Sequence, residues 1–162
     1  VIQDIIAALA SAGIRKLLLL DTGLSTRPVL ELAAHDAWLR HGVFVAQVVG
    51  LGDSVEAELF PNDGGTHAND PETLFMLAIA PSVVDMERAV DESRPSTVLF
   101  SRSPEAPPAF IQGGKMRSAS GVFGRPTQAT TAKGEAYFAQ KIADLEAFLP
   151  AFIGLDVETL PR

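Results

Sequence analysis

The stretch Ile14-Arg15-Lys16-Leu17-Leu18-Leu19-Leu20, followed at once by Asp21-Thr22-Gly23, sets the fold class of this chain. Its short, continuous apolar run predicts a β-strand over residues 14–20 that is buried on both faces, as strands of parallel sheets are. The polar loop over residues 21–27 then lies at the carboxyl end of that strand, where open α/β sheets gather their ligands.

Helical patterns flank this strand. Apolar residues recur at helical spacing over residues 2–9, and Gly13 suits the position that ends a helix. A second helix is predicted over residues 28–42, and a second buried strand over residues 43–49. A strand–helix–strand unit within one sheet gives parallel strands and a right-handed crossover. We therefore expect an α/β protein, a three-layer α/β/α sandwich with a mostly parallel sheet.

Two convincing strands are too few for the apolar helices that the sequence predicts. The chain also begins at Val1 in a helical pattern, without an initiator methionine or the features of a signal peptide. We therefore expect residues 1–162 to be a single α/β domain whose amino-terminal strands precede Val1 and are missing.

Composition narrows the classes of function. With 13 Lys and Arg against 20 Asp and Glu, the formal charge is −7, which disfavours nucleic acid as a partner because phosphate binding needs a basic face. No apolar run approaches the roughly 20 residues of a membrane span. The absence of cysteine excludes disulfides and thiolate metal sites and is compatible with the cytosol. We expect a cytoplasmic protein without nucleic-acid or membrane partners.

A second stretch, Gly65-Thr66-His67-Ala68-Asn69-Asp70-Pro71-Glu72-Thr73, places a histidine and two carboxylates before the apolar run 74–80. Asn69 or Asp70 can cap the helix that this run predicts, and Glu72 lies near its positive end. The run leaves no polar face, so the helix is predicted to be buried on all sides. A histidine beside carboxylates is suited to proton transfer, since its ordinary pKa lies near neutrality.

The remaining patterns are simpler. Gly50-Leu51-Gly52 lacks the third glycine of a dinucleotide fingerprint, so a nucleotide-binding oxidoreductase is not favoured and the glycines are expected to turn the chain. Residues 51–66 are predicted to form a loop, and residues 91–125 are predicted to be irregular with at most one short strand. A short helix is predicted over residues 83–90. A last helix is expected to be capped by Thr130 or Thr131, with an apolar stripe of Phe138, Ile142, Leu145 and Leu149.

Three blocks in this order resemble the creatininase (creatinine amidohydrolase) family. The first is the helix and apolar strand ending at Asp21, and the second is His67-x-x-x-x-Glu72-Thr73-x-x-Met76-Leu77. The third is Gly121-Val122-Phe123-Gly124 with Pro126-Thr127 and Lys133-Gly134-Glu135. The resemblance implies a homo-oligomeric, three-layer α/β/α enzyme that hydrolyses a C–N bond in a small cyclic amide, amidine or formamide, using zinc or manganese.

The resemblance also implies roles for individual residues. His67 would contact substrate and transfer protons, and Glu72 would orient His67 or the substrate. Asp21 would either ligate metal or orient the loop that follows it, and other metal ligands are expected outside this segment. Substrate contacts are expected from three loop residues, Asp63, Gly64 and Ser25.

The loop after the first strand differs from the family pattern. It reads Asp21-Thr22-Gly23-Leu24-Ser25-Thr26, where the family places a histidine among its metal ligands. This difference keeps a second hypothesis open: a diverged, non-catalytic member that acts as a binding or assembly subunit.

Overall fold

A computed structural model describes residues 1–21, 23, 26–61, 67–92 and 118–160. The described secondary structure consists of α1 (Ile2–Ser11), β1 (Lys16–Leu20), α2 (Arg27–His41), β2 (Phe44–Val48), α3 (Asp53–Leu59), α4 (Asp70–Ile79) and α5 (Thr131–Gly154), with 3₁₀ turns at Pro81–Val83, Met86–Arg88, Pro126–Gln128 and Val157–Thr159. The chain divides into two compact units: unit 1 is Val1–Leu51 with Lys141–Arg162, and unit 2 is Gly52–Gln140.

Unit 1 contains the parallel sheet. β1 and β2 are hydrogen-bonded neighbours in parallel register, from Lys16 opposite Phe44 to Leu20 opposite Val48. The predicted α/β fold with a parallel sheet is therefore confirmed. The prediction that both strands are buried on both faces is wrong, since β1 is half-buried and Leu20 is 56% exposed. The reason is that the described sheet has two strands, so each of them is paired along one edge.

The first two helices of unit 1 end at glycines, as the sequence predicts. After α1, the N–H of Gly13 donates to the carbonyl of Ala10, and the N–H of Ile14 donates to that of Leu9. These are the two bonds of a Schellman motif, which needs a left-handed residue, and Gly13 has φ 88°. α2 likewise ends at Gly42, with φ 60°.

A buried cluster of unit 1 lies between α1, α2 and the sheet. Its buried members come from α1, α2 and the entry to β2: Ile6, Ala33, Ala37 and Val43. Small residues on α2 allow α1 to approach closely, so Ile6 is completely enclosed.

Lys16 joins β1 to the carboxyl end of α5. Its Nζ donates to the carbonyl oxygens of Phe152 at 3.1 Å, Ile153 at 2.6 Å and Leu155 at 3.0 Å. The last carbonyls of a helix have no partner within the helix, so a cation there satisfies them and complements the helix dipole. The side chain of one strand residue therefore fixes the end of the helix.

We expect Lys16→Met to lower the free energy of unfolding by about 1.5–3 kcal/mol, because it removes charge-assisted hydrogen bonds to Phe152, Ile153 and Leu155. Urea denaturation followed by circular dichroism measures the change. Arg15→Met is the matched control, since exposed Arg15 donates to carbonyls close to it in the chain and should cost less than about 1 kcal/mol. Equal losses in the two variants would contradict the assignment.

α4 in unit 2 is not buried on all sides, contrary to the prediction. Leu74 is 0% exposed and packs with Leu77 into a core that includes Phe60 and Tyr137, whereas Ile79 is 51% exposed. One face of the helix is buried because its neighbours pack against that face alone. A run that is apolar all round cannot indicate which face this will be.

Two segments of unit 2 differ from their predicted secondary structure. Residues 53–59 form α3 rather than an irregular segment, and Val55 and Leu59, one helical turn apart, pack against the core of unit 2. The helix expected over residues 83–90 is replaced by two 3₁₀ turns. Gly52 begins α3 with φ 85°, so it turns the chain as predicted.

α5 begins as predicted, but its predicted apolar stripe is only partly buried. The hydroxyl of Thr130 accepts the N–H of Lys133 at 3.3 Å, which caps the helix. Its buried residues are Gly134 and Tyr137. Of the predicted stripe, Leu145 and Leu149 are half-buried, whereas Phe138 and Ile142 are exposed. No helix in the described ranges is both long and apolar enough to cross a membrane.

Candidate active site

The polar stretch before the apolar run forms the start of α4. Asn69 is the N-cap, and its Oδ1 accepts the N–H of Glu72 at 3.3 Å. The Glu72 carboxylate accepts the N–H of Ala68 at 2.5 Å in return. These reciprocal bonds resemble a capping box displaced by one residue. Of the two predicted caps, Asn69 has this role, and Asp70 is the first helical residue.

His67 is held at the mouth of α4 by its backbone. Its N–H donates to the carbonyl of Phe123 at 3.4 Å, and the Phe123 N–H donates back at 2.8 Å. The imidazole Nδ1 lies 3.8 Å from the Glu72 carboxylate, and the two side chains are 67% and 54% exposed. The structure therefore brings together the two predicted catalytic residues in a position that a solute can reach.

This arrangement is suited to general acid–base chemistry. An accessible imidazole can accept and release a proton, and a neighbouring carboxylate can influence the orientation of its ring. Glu72 is itself held by Ala68, so the carboxylate is already positioned when it meets His67. The same bond shows that Glu72 also has a structural role at the helix start.

Asp70 is a buried charged residue whose environment the sequence did not indicate. It is 2% exposed, and its Oδ2 lies 3.7 Å from the Nζ of Lys133 on α5. Lys133 also donates to the carbonyl of Gln128 at 3.0 Å. The pair joins the first turns of α4 and α5. The Lys133-Gly134-Glu135 block of the sequence resemblance indicated that this part of α5 is important. It did not indicate a contact with Asp70.

α4 and α5 touch through Gly134. A Cβ at this position would lie 2.8 Å from the carbonyl carbon of Leu74, nearer still to its oxygen, and 3.1 Å from the Cβ of Ala78. The absence of a side chain at Gly134 therefore allows the helix that carries Lys133 to approach the helix that begins at Asp70.

In unit 1, Asp21 follows the carboxyl end of β1. Its Oδ1 accepts the Thr26 hydroxyl at 2.6 Å and the Gly23 N–H at 3.1 Å, and its Oδ2 accepts the Gln47 side-chain amide at 2.8 Å. The hydrogen bond from Thr26 is the largest of the effects that hold the pKa of Asp21 below its ordinary value. Asp21 thus binds Gly23 and Thr26, which precede α2, and Gln47 of β2.

The family follows from comparison with known proteins. A family model described as creatinine amidohydrolase matches residues 1–149. This chain belongs to the creatininase family. The resemblance inferred from the three sequence blocks is therefore confirmed. A search among curated proteins found no match.

Solved structures show the same fold in other creatininases. A protein from Bacteroides fragilis NCTC 9343, assigned as a creatinine amidohydrolase, is 24% identical with a TM-score of 0.74, and the match covers 95% of this chain and 60% of that one. A creatinine amidohydrolase (creatininase) is 23% identical with a TM-score of 0.75, and the match covers 96% of this chain and 62% of that one. A manganese creatininase is 24% identical with a TM-score of 0.71, and the match covers 93% of this chain and 62% of that one. The chain thus spans about three fifths of the length of these relatives.

The described residues of this creatininase-family chain do not form a ligand set for the zinc or manganese that the family implies. Within those residues, no group of three or more His, Asp or Glu side chains lies close enough to hold an ion. Both Asp21 carboxylate oxygens already accept hydrogen bonds. His67 and Glu72 together supply two potential metal ligands. The side chains present therefore do not fit a metal centre by themselves.

Three other predicted site residues, Asp63, Gly64 and Ser25, lie outside the described residues. Their substrate contacts remain predictions, as does metal binding by Asp21.

The loop at Asp21 gives a test at low pH. We expect Thr26→Val to destabilise the protein by about 1 kcal/mol at pH 7, and we expect this difference to shrink as the pH falls below the ordinary carboxyl pKa and through the lowered pKa of Asp21. A carboxylate with a lowered folded-state pKa stabilises the fold above its unfolded pKa, and that stability is lost as pH falls through the folded value. Urea unfolding at pH 7 and pH 3 measures both differences.

Thr159→Val is the control for this experiment. The Thr159 hydroxyl donates to the backbone carbonyl of Asp156, which does not titrate, so its effect should be the same at both pH values. A Thr26→Val effect that is equally constant would show that the Asp21 bond is not the source of the acid sensitivity.

Proposed function

We propose that this chain carries the proton-transfer residues of an amidohydrolase that cleaves a C–N bond in a small cyclic amide, amidine or formamide. The observation that supports it most is the His67–Glu72 pair, 3.8 Å apart and accessible, within a chain of the creatininase family. The similar structures are named as creatinine amidohydrolases, which act on this class of bond.

Hydrolysis of a C–N bond requires two proton movements. A base removes a proton from the attacking water, and an acid delivers a proton to the departing nitrogen. We assign both to the imidazole of His67, which can take the first proton and give up the second. Glu72 would orient the ring electrostatically, across the 3.8 Å between its carboxylate and Nδ1. The implied zinc or manganese has no ligand set among the described residues, so no step of this proposal depends on it.

His67→Ala tests the assignment. We expect kcat/KM toward creatinine or a reactive formamide to fall by roughly 100-fold or more, the usual loss when a general acid–base is removed. The melting temperature should change little, because the His67 side chain is mostly exposed. Assays with and without added manganese or zinc keep metal loss from being mistaken for loss of His67.

His35→Ala is the matched control, since His35 is exposed on α2 in unit 1 and should leave turnover unchanged. Unchanged turnover in His67→Ala would remove His67 from the mechanism. A wild-type protein that hydrolyses no cyclic amide, amidine or formamide with either metal would contradict the proposed activity itself.

One observation favours a second candidate, a non-catalytic family member that acts as a binding or assembly subunit. The Asp21 carboxylate is engaged by Thr26, Gly23 and Gln47, so it already has a structural role in the loop where the family places metal ligands. Metal analysis of the purified protein separates the two candidates. Stoichiometric divalent metal together with turnover supports the enzyme, and the absence of both supports the subunit.

The remaining family-derived expectations are proposals of the same kind. They are a divalent metal cofactor, a small-molecule substrate, a homo-oligomer and a cytoplasmic location. Light scattering after size-exclusion chromatography measures the oligomeric state directly.

A further inference from the structure

The segment from Ala119 to Gly124 is held on both sides in unit 2. Phe123 exchanges two backbone hydrogen bonds with His67. The next residue, Gly124, exchanges two with Glu92, at 3.1 and 2.8 Å. The segment therefore lies between Glu92 and His67, and it contacts both through successive peptide groups.

The Glu92 carboxylate fixes the turn that leads into this segment. One oxygen accepts the Ala119 N–H at 2.7 Å, and the other accepts the N–H of Ser120 at 3.0 Å and its hydroxyl at 2.5 Å. The Ser120 oxygen in turn accepts the Val122 N–H at 3.2 Å. The hydrogen bond from the Ser120 hydroxyl is the largest of the effects that lower the pKa of Glu92, because it favours the ionised carboxylate.

We infer that Glu92 is a positioning residue for His67. Its carboxylate holds the turn at Ala119 and Ser120, its backbone holds Gly124, and the Phe123 peptide between them holds His67. Glu92 does not touch the imidazole; it acts through the backbone to which His67 is bonded. The catalytic consequence rests on the proposed function, whereas the effect on the position of His67 does not.

Glutamine cannot replace glutamate here. Both carboxylate oxygens accept backbone N–H groups, and an amide would present its own NH₂ to one of those donors. Glu92→Gln therefore loses at least one backbone contact, and it also loses the charge that strengthens the others. Ser120→Ala is the milder change, because it removes the hydroxyl but keeps the Ser120 amide donor.

NMR spectra of the histidine imidazoles in the purified protein test the positioning role of Glu92 without an activity measurement. The sequence contains three histidines, so the signals can be assigned by single substitutions. In Glu92→Gln we expect the His67 ring signals to shift or broaden, with those of His35 and His41 unchanged. Ser120→Ala should move the same signals less. Glu87→Gln is the matched control, since Glu87 lies exposed in a 3₁₀ turn and should move none of them.

Kinetics provide the second measurement. We expect kcat in Glu92→Gln to fall about tenfold with KM within about twofold, because a misplaced acid–base group slows the reaction without removing substrate contacts. If Glu92→Gln does not fold, Ser120→Ala decides the matter in the same two measurements.

Two results separate this inference from the proposed function. Unchanged His67 ring signals in both variants, while the amides of residues 119–124 shift, would overturn the positioning role. A wild-type protein without turnover would refute the proposed function, and the NMR comparison would still decide whether Glu92 positions His67.

Discussion

Replacing Gly134 by alanine should lower the free energy of unfolding by about 3 kcal/mol, although helix propensity alone predicts the opposite sign. In an open helical position, glycine to alanine gains up to about 1 kcal/mol. At Gly134 the new methyl group would meet the backbone carbonyl of Leu74, which cannot rotate away as the end of a flexible side chain could. α4 and α5 must separate, and the resulting overpacking costs more than the propensity gains.

The same helix offers a control for this substitution. A Cβ on Gly154, at the far end of α5, would meet no atom within 4 Å. Gly154→Ala should therefore be neutral or stabilise the protein by up to about 1 kcal/mol. Urea denaturation of the two variants measures the contrast. Equal effects would mean that the close approach at Leu74 is not a feature of the folded protein.

The second large effect is expected from Lys133→Met. Asp70 is almost completely buried, and the ammonium group of Lys133 lies 3.7 Å from its carboxylate. Removing the cation from such a pair leaves a buried charge less well compensated and costs about 3 kcal/mol. The methionine retains much of the apolar stem of lysine, so lost packing contributes little. Chemical denaturation at pH 7 measures the loss.

A double-mutant cycle shows whether this loss arises from the pair. Asp70→Asn in the Lys133→Met background should recover part of the stability, because the buried group is then neutral. Arg88→Met is the control for removing a cation, since Arg88 is exposed in a 3₁₀ turn, and it should cost less than about 0.5 kcal/mol. If the losses in Lys133→Met and Asp70→Asn simply add, the two residues are not coupled.

The sequence correctly predicted those features that depend on residues close together in the chain. Gly13 and Gly42 lie where the helices end, Thr130 caps α5, and the two apolar runs form the paired strands. His67 and Glu72 were predicted together because they flank one helix start, so their proximity needs no long-range folding information.

The sequence did not predict those features that depend on a contact with a residue far away in the chain. The buried face of α4 depends on what packs against it, and the run from Leu74 to Ile79 is apolar in every direction. The Asp70–Lys133 pair and the contacts of Glu92 with the turn at Ser120 join residues from separate parts of the chain. Each of these residues looks like an ordinary surface or cap residue until its partner is known.

The anchoring of β1 by Lys16 has a consequence for the order in which the protein folds. Lys16 bonds to Phe152 and Leu155, which lie 136 and 139 residues further along the chain. Closing so long a loop costs conformational entropy, and contacts of high sequence separation form slowly. Residues 52–140, which belong to unit 2, are synthesised between these two partners. The bonds between Lys16 of β1 and the end of α5 therefore form only after those intervening residues have been synthesised.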